Sequence, residues 1–172
     1  LLLMDDHTEP MGNPTEGALL LWLAASDRDY QASRDAFAVR QQLTFTTERK
    51  FMATAGVSAV DGEPILYVKG AAEIVISRCG RVRAVGGVAE PLDEDEKRRI
   101  LLDAAEFQNR GMRILGFASK RVDAAYLDRE IDPDMTDLVW EGFFVIADPI
   151  RPDVRAAIDA ALGAGLGVKV VT

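Results

Sequence analysis

The sequence predicts an α+β fold: an antiparallel β-sheet flanked by helices, followed by a short C-terminal α/β piece. Three observations carry that expectation. Stretches rich in β-branched and aromatic residues, QQLTFTTERKFMATAGV and EPILYVKG, are joined by short turn signals, as antiparallel strands are. Helix-start signatures stand at Asn13 and Asp93, on either side of those strands. After Asp148-Pro149 the texture changes to an Ala-rich helix, a glycine turn and a run of valines, which is half of a parallel α/β unit. The boundary therefore falls near Asp148, with one domain over 1–147 and an incomplete second piece over 148–172.

In chain order, the first element is the helix of GNPTEGALLLWLAA. Asn13 is a good N-cap, Pro14 takes the first helical position, and Glu16 stands three residues after the cap, as in a capping box. The strand run from Gln41 contains a turn or bulge near Glu48–Lys50, and Asp61-Gly62 makes a hairpin into EPILYVKG. AAEIVISRC reads as a short helix and GRVRAVGGVAEPL as a small hairpin around Gly86-Gly87. DEDEKRRILLDAAEFQNRG is the clearest helix. Asp93 and Glu96 form a second capping box, Ile100, Leu101, Ala104 and Phe107 line one face, and Gly111 supplies the stop. Strands follow from Arg113 (RILGFA) and over Leu138–Ala147, with Asp123–Asp137 as a polar linker between them. In RPDVRAAIDAALGAG, Val154, Ile158 and Leu162 share one side of a helix that leads into a final strand, GVKVVT.

Composition narrows the function. A hydrophobic fraction of 48% supports a packed core. The longest pure apolar stretch, Ala18–Ala25, falls well short of the ~18 residues of a membrane helix. The opening LLLM is too short for a signal peptide and no cleavage pattern follows it, so the fragment itself is expected to be soluble. With 28 acidic and 20 basic residues the net charge is −8, which argues against nucleic acid as a partner. A nucleotide needs only a local basic pocket and is not excluded. Cys79 and His7 stand alone, so there is no internal disulfide, Cys/His zinc site or Cys–His pair, and a reducing compartment fits. No GxxxxGK[ST] loop occurs. GAGLG at 163–167 follows a helix and precedes a strand, the reverse of a dinucleotide loop, and reads as a helix C-cap.

Some short motifs have two readings each. In YVKGAAE, Lys69 ends a strand and Gly70 opens a helix, where backbone N–H groups favour anions and glycine permits close approach to a ligand. An ordinary strand-to-helix turn with a solvated lysine explains the same residues. In FTTERKFM, Phe45 with Arg49 and Lys50 beside it can stack on a base, or can be a core phenylalanine. Glu16 can be only a capping carboxylate and Arg113 only a strand-edge charge.

Taken in order, GNPTEGALL, FTTERKFM, VKGAAE, GMRILGFA and DPIRPDVRAAI with AGLGVKVVT resemble the P-type cation-transporting ATPases of the type II branch, from about Gly12 to Thr172. GNPTEGALLLWL with TFTTERKFMAT is most similar to bacterial calcium pumps of the plasma-membrane type. The resemblance implies a nucleotide-binding domain, inserted into the cytoplasmic phosphorylation domain of a membrane pump, plus the first helix and strand of the returning phosphorylation domain. DPIR resembles the family's DPPR hinge, placing it at Asp148, Pro149 and Arg151 with Ile150 for the second proline. Thr172 matches the threonine of TGD at the phosphorylation-domain edge, so the chain is expected to be cut one residue before the glycine and aspartate. DKTGT, with the family's acceptor aspartate, and the GDGxND magnesium segment do not occur in this sequence. Phosphoryl transfer needs that nucleophile and that metal site, so this fragment is expected to hold ATP without hydrolysing it, and to contribute no metal ligand.

By resemblance, Phe45 stacks on adenine with Glu16 beside the ring. Lys69 and Gly70 line the base pocket next to Lys50 and Met52, while Arg113 reaches toward the phosphates and Leu115 packs below. Thr47 stands where calcium pumps of the sarcoplasmic-reticulum type have an arginine, so one cationic phosphate contact is absent, and Ala72 replaces the proline of KGAPE. The implied ligands are ATP and Mg2+, the metal arriving with the nucleotide. The implied partner is the remainder of the pump, with its phosphorylation, actuator and membrane domains, and the fragment is expected to be monomeric. The implied location is the cytoplasmic side of a membrane, the bacterial inner membrane by the finer resemblance. With the net charge opposing a polyanion, a dissociation constant of about 1 mM, ~4 kcal/mol, is expected. Other readings stay open: a pump for sodium, protons or magnesium, since ion choice rests on membrane helices absent from this sequence, or a regulatory or protein-interaction domain without nucleotide binding. Against a stand-alone phosphatase or kinase speak the missing acceptor aspartate and the abrupt C-terminus.

Overall fold

The computed structural model describes residues 2–4, 7–9, 13–26, 28–59, 61–147 and 151–169. A small antiparallel hairpin, β1 (Leu2–Met4) with β2 (His7–Glu9), precedes α1 (Pro14–Ala25) and α2 (Tyr30–Asp35). The main chain then runs through β3 (Phe37–Leu43), β4 (Phe51–Ser58), β5 (Pro64–Gly70), α3 (Ala72–Ile76), β6 (Cys79–Arg83), β7 (Ala89–Pro91) and α4 (Glu94–Asn109). It closes with β8 (Arg113–Arg121), a 3-10 turn (Ala124–Asp128), β9 (Leu138–Ile146) and α5 (Val154–Gly163).

The sheet has seven strands in the order β3-β4-β5-β8-β9-β6-β7. It is antiparallel apart from the pairing of β6 with β9, where Val82 lies opposite Trp140 in parallel. Alternation along the strands separates two faces. Phe51, Ala53 and Ala55 of β4, Leu66 and Val68 of β5 and Trp140 of β9 point into a buried core with Val75 and Ile76 of α3. Ala104 of α4 is buried as well, and Ile100 and Leu101 pack half-buried against the core, as the face the sequence predicts requires. Gly116 permits the close seating of α3: a Cβ there would stand 2.8 Å from Trp140 Cη2 and 2.9 Å from Ala72 Cα. On the opposite face, α1 crosses one end of the sheet. Trp22 meets Phe144 edge-on at 4.8 Å, and Phe144 meets Phe117 at 5.6 Å.

Several expectations change. The run from Gln41 is two strands, separated by an irregular connection over 44–50, and β3 already begins at Phe37. Asp29 starts an unexpected α2 by accepting from the N–H groups of Gln31 and Ala32 at 2.9 and 3.0 Å. The linker Asp123–Asp137 is not simply polar. Asp123 caps the 3-10 turn through Tyr126 N at 2.8 Å, and Leu127, Ile131 and Met135, four residues apart, are buried in the core. No strand is formed over 166–169, where Leu166 and Val168 are exposed. Residues 170–172, including Thr172, lie outside the described residues, as do Asp148, Pro149 and Ile150 of the expected hinge. Arg151 is exposed, and its carbonyl accepts from Val154 N at 3.1 Å in the turn into α5.

Candidate functional site

Strand register builds a site at one end of the open face. Met52, Lys69 and Phe117 lie opposite one another in β4, β5 and β8, so their side chains form one row on that face. Lys69 therefore projects where α1 begins. Its Nζ donates to Glu16 Oε1 at 2.7 Å. This bond replaces the expected capping box: Asn13 does accept from Thr15 N at 2.9 Å, but Glu16 is turned to the sheet. α3 has no side-chain cap and is a single short turn, so register and Glu16, rather than a helix terminus, fix Lys69.

Gly70 occupies the adjoining core-side row, opposite Phe51 and Gly116. A Cβ here would run into the Lys50 carbonyl oxygen and the Phe51 backbone. The close approach that glycine allows at this position is made by the protein's own chain, since Ala71 N also donates to that carbonyl at 2.9 Å. Lys50 itself adopts a left-handed φ of 59° as the 44–50 connection re-enters the sheet, with its N–H bonded to Thr46 O at 2.8 Å. That compact loop leaves Phe45 57% exposed. It also turns Arg49 away: its guanidinium donates to Thr44 O at 2.6 Å and lies 5.9 Å from the Phe51 ring.

Together these elements enclose a cleft of about 560 Å3, within the usual range for small-molecule sites. Eight of the nine predicted binding residues line it: Glu16, Phe45, Lys50, Met52, Lys69, Gly70, Arg113 and Leu115. Thr47 does not; it is exposed within the 44–50 connection. Arg113 stands at the mouth, its Nη1 donating to Thr15 Oγ1 at 3.3 Å. Sequence reasoning missed Asn13, Thr15 and Ala71, direct neighbours of residues it singled out, and Ile114. It also missed Gln108 and Met112, which reach the cleft because Gly111, at φ 77°, turns α4 directly into β8. The charged lining consists of three cations (Lys50, Lys69, Arg113) and one carboxylate (Glu16), a local excess of two positive charges in a chain of net charge −8. Such a pocket can hold a flat ring against Phe45 and an anionic group at its mouth. Among the described residues its lining holds one carboxylate, Glu16, already paired with Lys69.

Comparison with known proteins gives the same family from sequence as a whole. A family model described as P-type ATPase, cytoplasmic domain N, matches residues 4–153. The calcium-transporting ATPase type 2C member 2 of Mus musculus is 31% identical over 94% of this chain and 16% of its own length. Calcium-transporting ATPase 1 of Saccharomyces cerevisiae is 32% identical over 97% of this chain and 17% of its own. A calcium-transporting ATPase of Listeria monocytogenes is 27% identical over 98% of this chain and 19% of its own. The chain thus spans less than a fifth of the length of each of these curated relatives.

Proposed function

This chain belongs to the family of P-type ATPase cytoplasmic N domains, and from that premise we propose that it holds the adenosine end of Mg-ATP in the cleft between α1 and the sheet. The observation that carries the proposal is the convergence of Glu16, Phe45, Lys50, Met52, Lys69, Gly70, Arg113 and Leu115 on one cavity from segments far apart in sequence. Phe45 presents an exposed ring for the base. The Glu16 carboxylate, held by Lys69, is an acceptor for an exocyclic amino group or a bridging water. Lys50 and Arg113 supply positive charge for the ribose-phosphate end. Magnesium comes with the phosphates, and its protein ligands belong to other parts of the pump.

In this reading residues 1–147 are the nucleotide-binding domain. Residues 148–172, with Asp148, Pro149 and Arg151 as a hinge, return toward a phosphorylation domain. The whole protein couples ATP hydrolysis through an aspartyl phosphate to cation transport, calcium being the ion for which the relatives are named. Titrating the chain with Mg-ATP while following backbone amide NMR shifts tests the site. Shifts should cluster at Glu16, Phe45, Lys69–Gly70 and Arg113 and weaken in Lys69→Glu. Absence of shifts at ~10 mM nucleotide, ten times the expected constant, or shifts indifferent to that substitution, would leave a protein-interaction domain as the better reading.

A further inference from the structure

The open face of the sheet continues past the cleft into a second, larger cavity of about 800 Å3, with Lys69 and Met52 as the shared wall. Strand register builds it. The row after Met52, Lys69 and Phe117 is Thr54, Tyr67 and Ser119, and Ser119 pairs onward with Val139, which lies opposite Arg81. Phe117 and Tyr67 supply an aromatic floor. Tyr67 is 47% exposed, and neither ring is loose: Phe117 meets Phe144 at 5.6 Å and Tyr67 meets Phe37 at 5.4 Å, both edge-on.

Arginines form the far rim, and they are not equally engaged. Arg83 grips Glu141 through two nitrogens at 3.1 and 2.8 Å, and Arg121 is paired with Asp61. Among the described residues Arg81 reaches Asp137 alone, at 3.4 Å, and that carboxylate also lies 3.8 Å from Lys120. The Arg81 Nε is buried with no hydrogen-bond partner among the described residues. The four cations that line the cavity, Lys69, Arg81, Arg83 and Arg121, thus meet the carboxylates of Glu16, Asp137, Glu141 and Asp61. Each lining cation has one carboxylate, and the Arg81–Asp137 pairing, at 3.4 Å, is the longest of the four. A guanidinium with spare donors beside an aromatic floor is suited to a planar acid.

We propose that this cavity is a second ligand site, for a small organic anion with a flat apolar body. The body lies on Phe117 and Tyr67 and the acid group is held by Arg81. Two strands separate β5 from β6, so Tyr67 and Arg81 are about 14 Å apart at the backbone. The arginine side chain covers roughly half of that span, which leaves room for a fused two-ring body. The site does not depend on the nucleotide reading, because neither Phe117, Tyr67 nor Arg81 lines the cleft.

Titration of the chain with 2-naphthalenesulfonate, followed by backbone amide NMR, tests this. Saturable shifts are expected at Arg81, Tyr67, Phe117 and Ser119, with Phe45 and Gly70 unmoved. Arg81→Gln should weaken the probe about threefold, as for one partly exposed charge contact, and the neutral analogue 2-naphthol should bind weaker by a similar factor. Tyr67→Ala, at an exposed ring, should weaken both compounds, and unchanged shifts elsewhere in its spectrum report that it folds. No saturable shift at ~5 mM probe, shifts confined to Phe45, Gly70 and Arg113, or unaltered affinity in Arg81→Gln would each overturn the proposal.

Discussion

Replacing Phe45 by alanine separates the cleft from the core, because Phe45 and Phe51 lie six residues apart in opposite environments. Phe45 is 57% exposed, whereas Phe51 is fully buried with the Arg78 guanidinium 4.6 Å above its ring. Truncation at 45 removes little buried surface, so stability should stay within about 0.5 kcal/mol of the parent. Phe51→Ala opens a core cavity and should cost about 3–5 kcal/mol. Binding should show the reverse emphasis. Stacking of a base on an aromatic side chain is worth about 1–3 kcal/mol by alanine substitution, so the Mg-ATP dissociation constant should rise by about 5- to 150-fold in Phe45→Ala. Urea unfolding gives the first quantity, and NMR titration with Mg-ATP the second. Adenosine as a second titrant isolates the ring, since it carries no phosphate, and its loss of affinity should match that of ATP. A Phe45→Ala chain that binds as well as the parent, or that loses more than about 2 kcal/mol of stability, would refute the assignment of Phe45 to the cleft.

Other substitutions probe how the site is held. Gly70→Ala forces a methyl group against the Lys50 carbonyl and the Phe51 backbone, so the urea midpoint should fall by the equivalent of about 1–3 kcal/mol. A double-mutant cycle on Glu16→Gln and Lys69→Gln should give a coupling of about 0.2–1 kcal/mol, as both side chains are partly exposed, and it should shrink in concentrated salt. Cys79 is 2% exposed and burial pushes its thiol up to about 12, so a thiol reagent at pH 8 should label it only after unfolding. Burial raises the Glu141 carboxyl, but hydrogen bonds from Arg83 and Ser119 outweigh it and carry it below the usual range. A folded value below the unfolded one gives stability that is complete above the ordinary glutamate value of about 4.3 and is lost as pH falls through the folded value. Glu141→Gln should therefore flatten acid unfolding below that pH and leave its slope near neutrality unchanged.

The parts of the fold written in local chemistry were legible. Asn13 and Asp93 cap α1 and α4 as their residue types require, and the α4 stripe of Ile100, Leu101 and Ala104 meets the core. The parts decided by tertiary contact were not. Leu127, Ile131 and Met135 sit among aspartates, so their stretch reads as a polar linker, yet its irregular path past the 3-10 turn buries all three in the core. Glu16 fits a capping box in sequence, and only the arrival of Lys69, 53 residues away, takes its carboxylate to the sheet. The parallel pairing of β6 with β9 joins segments more than fifty residues apart and has no local signature. At the cleft, the motif residues were identifiable through family resemblance, but spacing alone could not gather them. Gln108 carries no signal of its own and enters through the turn between α4 and β8.

The two ends of α1 explain how a ligand can occupy this cleft without disturbing the fold. The helix is almost uniformly apolar after Glu16, and at its far end Trp22 packs edge-on against Phe144. That aromatic contact, worth about 0.5–1.5 kcal/mol beyond its buried area, joins the helix to the sheet together with buried Gly17 and half-buried Leu19, Leu20 and Leu23. At the cleft end the attachments are polar and half-exposed: Glu16 with Lys69 at 2.7 Å and Thr15 with Arg113 at 3.3 Å. An exposed pair of this kind contributes only about 0.2–1 kcal/mol. A nucleotide that redirects the Glu16 carboxylate or the Arg113 guanidinium therefore exchanges a weak contact for a new one, while the core beneath, from Phe51 to Trp140, is untouched. The same economy limits affinity, since side chains that are easily redirected are also weakly preorganised, and a site built from them should bind and release its ligand readily.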